Sequence, residues 1–169
     1  MPSSPCVSPA DVVRGLAARG LTLSTAESLT GGALASAIVS VPGASEVYVG
    51  GVVAYATELK VSLLGVPQEV VDRDGVVSAT CAEAMALGAR ARTGADVGVA
   101  TTGVAGPDPQ EGRPPGTVFV AVSGPDGSDV AVLALEGDRA AVRAATVDAA
   151  LDLVLRGLAT PTTPVGSGE

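Results

Sequence analysis

With one Phe, two Tyr and no Trp in 169 residues, this chain has almost no aromatic bulk to fold around, although 47% of it is apolar. Its core therefore has to be assembled from Val, Leu and Ala. The length suits a single domain large enough to bury such a core.

Helical and strand-like periods alternate along the chain. Asp11 to Arg19 reads as a short helix, and Leu21 to Ala26 as a strand with Leu21, Leu23 and Thr25 on one face. Small residues from Gly31 to Ser40 predict a helix that stops near Pro42-Gly43. Val47 to Ala54 is an apolar strand and Thr57 to Leu64 a short helix. Ser78 to Thr93 predicts a long Ala-rich helix, Asp96 to Thr101 a strand, and Thr102 to Gly116 a loop stiffened by four prolines. Two further strands, Thr117 to Ser123 and Asp129 to Leu135, flank a Gly-Pro-Asp-Gly-Ser hairpin connection. Asp138 then caps a helix whose Val147, Leu151, Val154 and Leu158 share one face. Strands interleaved with helices imply a sheet covered on both faces, and the hairpin makes that sheet mixed. The expected fold is α/β: a three-layer α/β/α sandwich with a mixed, mostly parallel sheet over residues 10–158. Disorder is expected in residues 1–9 and 159–169.

Composition excludes much chemistry. The chain has no His, which removes Ser-His-Asp and Cys-His catalysis, His-ligated zinc and an imidazole acid/base. Cys6 and Cys81 form no C-x-x-C pair, so neither a disulfide framework nor a metal site is indicated, and no cofactor is implied. A net charge of −8 with no basic stripe argues against nucleic acid as a partner. Local positive charge for the phosphate of a small ligand remains possible. No apolar run approaches membrane-spanning length and no signal-peptide pattern occurs, so a soluble cytoplasmic protein with no membrane contact is expected.

Nine of the ten basic residues are Arg, and the single lysine is Lys60. An amine can lose its proton inside a protein, whereas a guanidinium in practice cannot. Either chance kept one lysine, or Lys60 serves as a general base. If Thr57 caps the short helix, Lys60 falls in a first turn, where the dipole disfavours a cation and lowers its pKa. A neutral amine there could take the proton of a serine hydroxyl. The segment Thr25-Ala-Glu-Ser-Leu-Thr-Gly-Gly32 runs from strand to helix. It offers Ser28 and free backbone N–H groups to an oxyanion or phosphate, or else Ser28 or Thr30 is simply an N-cap. Thr101 to Pro107 ends another strand at a place where open α/β sheets put their ligands. Arg139 follows the cap Asp138, so a cation stands at a positive helix end with Arg143 one turn on. Either a bound phosphate resolves that conflict or Asp138 neutralises Arg139.

In their order, these pieces resemble the CinA C-terminal domain family, the nicotinamide mononucleotide amidohydrolases. The resemblance rests on Thr25–Gly32, Gly51–Tyr55 with Lys60–Val66, Thr102–Pro107, Pro115–Thr117 and Gly137–Arg143. It covers about residues 10 to 158 and implies a standalone form of the domain. By that resemblance the activity is deamidation of nicotinamide mononucleotide to nicotinic acid mononucleotide and ammonia, within pyridine nucleotide recycling. Ser28 is the implied nucleophile, with Lys60 and Tyr55 assisting. Glu27, Thr30, Gly31, Gly32, Thr102, Gly103, Gly106 and Arg139 are expected to bind the nucleotide. The partner is then a small-molecule nucleotide, and the expected assembly is a homo-oligomer, taken as a dimer. Two departures stand out. Thr57 replaces the family's common Asn, and Gly106-Pro107-Asp108-Pro109 replaces a Gly-Pro-Gly-Gly loop. A non-catalytic nucleotide-binding or interaction domain, or a Ser-Lys hydrolase of another amide or ester, are the competing readings.

Overall fold

The computed structural model describes residues 6–159. Ser8 opens the first helix, α1 (Pro9–Arg19), through a reciprocal cap with Asp11, and Gly20 closes it in left-handed backbone. Then come β1 (Leu23–Glu27), α2 (Ala33–Val39), a 3₁₀ turn at Ala44–Glu46, β2 (Tyr48–Val53) and α3 (Thr57–Ser62). The chain continues through α4 (Gln68–Asp74), α5 (Ala79–Thr93), β3 (Val97–Gly103), β4 (Thr117–Gly124), β5 (Gly127–Ala134) and α6 (Arg139–Ala159). Helix α1 begins at Pro9 with Ser8 as its cap and Val7 packed against the core, and α6 ends at Ala159, so described structure takes in Val7, Ser8, Pro9 and Ala159, where disorder was expected. Residues 1–5 and 160–169, where disorder was expected, lie outside the described residues.

The five-stranded sheet has the order β2-β1-β3-β4-β5. Strand β1 pairs in parallel with both β2 and β3, whereas β4 runs antiparallel to β3 and β5. Four strands therefore point one way and β4 alone opposes them, which gives the mixed, mostly parallel sheet. Period-two alternation divides its side chains into two unlike faces. One face carries Leu23, Val97, Val99, Val118, Val120 and Val122, and packs against α1, α2 and α6. The other carries Ala26, Ala100, Phe119 and Ala121 under α5, whose Cys81, Ala82, Met85, Ala86 and Ala89 are fully buried. Three layers result.

Small side chains on the second face let α5 descend onto the sheet. A Cβ on Gly98 of β3 would stand 2.1 Å from the carbonyl oxygen of Ala86. On its far side α5 is approached as closely, because a Cβ on Gly88 would meet the Leu64 carbonyl oxygen at 1.9 Å. Leu64 follows α3, so this contact seats the segment that carries Lys60. Helix α4 is not foreshadowed by sequence periodicity. None of its residues is fully buried; Val70 and Val71 pack half-buried against the α5-side core, and the Thr80 hydroxyl donates to Asp74 at its end.

Gly88→Ala should therefore lower stability by about 1–3 kcal/mol through overpacking against backbone that cannot rotate away. Gly157 in α6 has open space where its Cβ would be, and Gly157→Ala should raise stability by about 0.5 kcal/mol. Thermal unfolding of the two variants checks both signs.

Candidate active site

Strand alternation separates two neighbouring polar residues. Glu27 ends β1 on the α2 side, and its carboxylate accepts hydrogen bonds from the Leu34 and Ala35 N–H groups at 2.9 and 3.2 Å. It caps α2, whose N-cap, Gly32, has no side chain to do so. Ser28 comes next and faces the opposite way. Its N–H continues the sheet ladder to the Thr101 carbonyl at 3.0 Å, which brings its hydroxyl to the α3 side.

There Lys60 waits, 1% exposed. Its Nζ lies 3.0 Å from Ser28 Oγ, 2.8 Å from the Ala54 carbonyl and 3.2 Å from the Tyr55 carbonyl. Among the described residues no carboxylate touches it. Burial pushes its pKa below the ordinary lysine value, and nearby Cys81, Glu111 and Glu58 only partly oppose that. The Cys81 thiol is pushed by burial up to about 11 and stays neutral. A capped helix start does not contribute to this shift. Ala56 is the N-cap, Thr57 is the first helical residue with no side-chain cap, and α3 is only six residues long. Desolvation carries the shift.

A cavity of about 380 Å³ opens over this pair at the carboxyl ends of β1, β2 and β3. Ser28, Lys60, Tyr55, Thr102, Gly103, Gly106 and Arg139 all line it, as do Thr57 and Asp108. Glu27, Thr30, Gly31 and Gly32 do not. Thr30 is fully buried, with its hydroxyl 2.8 Å from that of Thr101, and so ties the Ser28 turn to β3. Thr102 donates to the Val76 carbonyl at 2.7 Å. The Tyr55 hydroxyl is turned away from the amine and accepts from Arg139 at 2.9 Å. Arg139 also donates to the Gly106 carbonyl at 2.9 Å. Asp138 does not neutralise it, since that carboxylate caps α6 at the Ala141 N–H. Arg143, paired with Arg139 in the sequence reading, is occupied elsewhere. Its guanidinium grips the Leu29 and Thr30 carbonyls, both at 2.9 Å, and thereby orients the turn after Ser28.

Sequence reasoning missed the wall formed by Val76 and Val77 and the residue that holds it, Glu111. A hydrophobic pair after a glycine carries no chemical signal, and a loop carboxylate looks like solubility.

Fold and site together define an α/β/α domain with a buried lysine–serine pair at the carboxyl end of its parallel strands. A family model described as the CinA C-terminal domain matches residues 8–158. The chain belongs to the CinA C-terminal domain family. The CinA-like protein of Frankia casuarinae is 52% identical over 149 residues, covering 88% of this chain and 34% of its own length. That of Synechococcus sp. (strain RCC307) is 50% identical over 117 residues, covering 69% and 28%. The chain thus spans about a third of the length of the first of these relatives. A competence-damaged protein (CinA) superfamily member from Klebsiella pneumoniae 700603 superposes with a TM-score of 0.87 at 36% identity. Of this chain 89% is covered, and of that one 95%. The corresponding Escherichia coli protein gives 0.86 at 35% identity, with 92% and 94% covered. No helix among the described residues is long and apolar enough to cross a membrane.

A depressed lysine pKa is a stability statement. The unfolded chain binds this proton more tightly than the folded one, so Lys60 destabilises the fold at neutral pH and ceases to do so above its unfolded pKa of about 10.4. The stability of the parent relative to Lys60→Met should therefore rise as pH climbs from the folded pKa towards about 10.4. Urea midpoints of both proteins across that window check it; a flat difference would mean the amine is not shifted.

Proposed function

We propose that this domain hydrolyses the carboxamide of nicotinamide mononucleotide to nicotinic acid mononucleotide and ammonia by a Ser-Lys mechanism. One observation carries the reading: a desolvated amine 3.0 Å from a serine hydroxyl, on the wall of a nucleotide-sized cavity. A neutral amine has two hydrogens and one lone pair. With its hydrogens given to the Ala54 and Tyr55 carbonyls, the lone pair is left for the Ser28 hydroxyl. Ser28 Oγ then attacks the carboxamide carbon while its proton passes to Lys60. The resulting ammonium protonates the departing nitrogen, which leaves as ammonia, and the acyl group remains on Ser28 as an ester. Water attacks that ester, its proton passes to Lys60, and Ser28 is regenerated as the acid is released. The oxyanion formed at each step needs donors. The Leu29 and Ala105 N–H groups, on walls of the same cavity, have no acceptor in the chain among the described residues.

Arg139 answers the phosphate. Its guanidinium has five N–H groups, of which Gly106 and Tyr55 take one each, so capacity remains for an anion at the positive end of α6. Tyr55 then serves by orienting Arg139 through its hydroxyl and Lys60 through its carbonyl, rather than by moving a proton.

Incubation of the purified protein with nicotinamide mononucleotide, with ammonia and nicotinic acid mononucleotide as readouts, tests the reading directly. Lys60→Arg should fold and retain less than about a tenth of parental kcat, a loss above ~1.4 kcal/mol of barrier, because it keeps charge but has no amine to deprotonate. Ser28→Ala should bind the mononucleotide yet not turn it over. An active Ser28→Ala protein would assign attack to water instead.

Arg139→Ala should lower kcat/KM for the mononucleotide by about ten- to hundredfold, and by much less for the dephosphorylated riboside. Equal losses would make Arg139 a strap between Gly106 and Tyr55 with no ligand of its own.

A further inference from the structure

The loop from Val104 to Gly116 forms one long side of the cavity, through Val104, Ala105, Gly106, Pro107, Asp108 and Gln110. Its base is tied into the sheet by hydrogen bonds between Val104 and Thr117 and between Gly116 and Val104. Its tip has two charged attachments: the Arg113 guanidinium lies over the Phe119 ring, 5.6 Å from its centre, and Glu111 reaches the facing wall. The Glu111 carboxylate spans two successive backbone N–H groups, Val76 at 3.1 Å and Val77 at 2.9 Å. Val76 and Val77 are the facing cavity wall, and the Val76 carbonyl is in turn held by Thr102. The two walls are therefore joined across the turn before α5 by a single side chain.

The backbone on both sides accommodates this contact. Glu111 has φ of 51°, and it is the only non-glycine residue with left-handed backbone among the described residues. That conformation belongs to the tight turn itself: Gln110 and Arg113 exchange backbone hydrogen bonds across Glu111 and Gly112, and such a two-residue turn takes left-handed backbone at both central positions. Opposite it, Gly75 has φ of 75°, and a Cβ there would stand 2.5 Å from Glu111 Oε2. The turn is cut away where the carboxylate enters.

We propose that Glu111 is a positioning residue: a latch that fixes the proline-rich loop against the Val76–Val77 wall and so sets the width of the substrate cavity. It touches neither Ser28 nor Lys60. Its main effect is on how tightly substrate is held; its charge also acts on Lys60 from a distance, and removing it would move the amine further towards its neutral form. A carboxylate is required, because two parallel N–H donors need two acceptor oxygens. A carboxamide offers one oxygen and turns an NH2 group against the second donor. The consequence for turnover rests on the amidohydrolase reading; the latch itself does not.

Glu111→Gln, nearly isosteric, is the test. With nicotinamide mononucleotide, KM should rise about tenfold or more while kcat stays within about threefold. Amide hydrogen exchange should speed up at Val76 and Val77 by about a hundredfold or more, with the amides of α5 beyond its first turn unchanged. Unaltered exchange at Val76 and Val77 would overturn the latch. So would an unaltered KM, or a loss of kcat as large as the gain in KM. If the parent protein does not turn over nicotinamide mononucleotide at all, the functional reading fails, and hydrogen exchange still decides the latch by itself.

Discussion

A primary amine buried among a hydroxyl and two backbone carbonyls, with no carboxylate on it, is the arrangement the rest of this molecule accommodates. A charge there is poorly solvated, and burial accordingly pushes the amine's pKa below the ordinary lysine value. The amine depends on backbone that other elements hold. Ala54 and Tyr55 follow β2, whose parallel pairing with β1 fixes them beside Ser28. The Ala54 N–H bonds the Glu27 carbonyl at 2.9 Å, so the acceptors of Lys60 and the turn bearing Ser28 belong to one ladder.

That geometry needs thin layers. Lys60 reaches Ser28 because α5 lies almost on the sheet, at Gly98, and because the end of α3 lies almost on α5, at Gly88. The Val face and the Ala face of the sheet are thus not equivalent halves of a sandwich. The Val face supplies most of the aliphatic burial against α1, α2 and α6. The Ala face gives up bulk so that a site can be assembled at its edge. Scarcity of aromatics fits this division, since a ring at Ala86, Gly88 or Gly98 would push the layers apart.

Charge around the cavity is distributed by the same logic of capped ends. Glu27 satisfies the start of α2, Asp138 the start of α6, and Glu111 the turn before α5. Each acid is spent on backbone N–H groups, and Arg143 is spent on carbonyls. Lys60, Ser28, Asp108 and part of Arg139 are left facing the space between.

Composition and order alone determined that this would be a three-layer α/β/α domain, that histidine chemistry was impossible, and that Lys60 and Ser28 were the groups to watch. These rest on local properties: periodicity, side-chain type and the uniqueness of one amine. Only the tertiary structure decided which polar residues serve the fold. Glu27 and Ser28 are adjacent in sequence, yet strand pleating sends one to cap a helix and the other to the lysine. Thr57 was read as a cap and is not one, because a cap depends on backbone angles that residue type does not set. Arg143 and Glu111 act across 113 and 34 residues of chain respectively. Long-range contacts of that kind leave no periodic trace in a sequence; they exist only once the layers have closed.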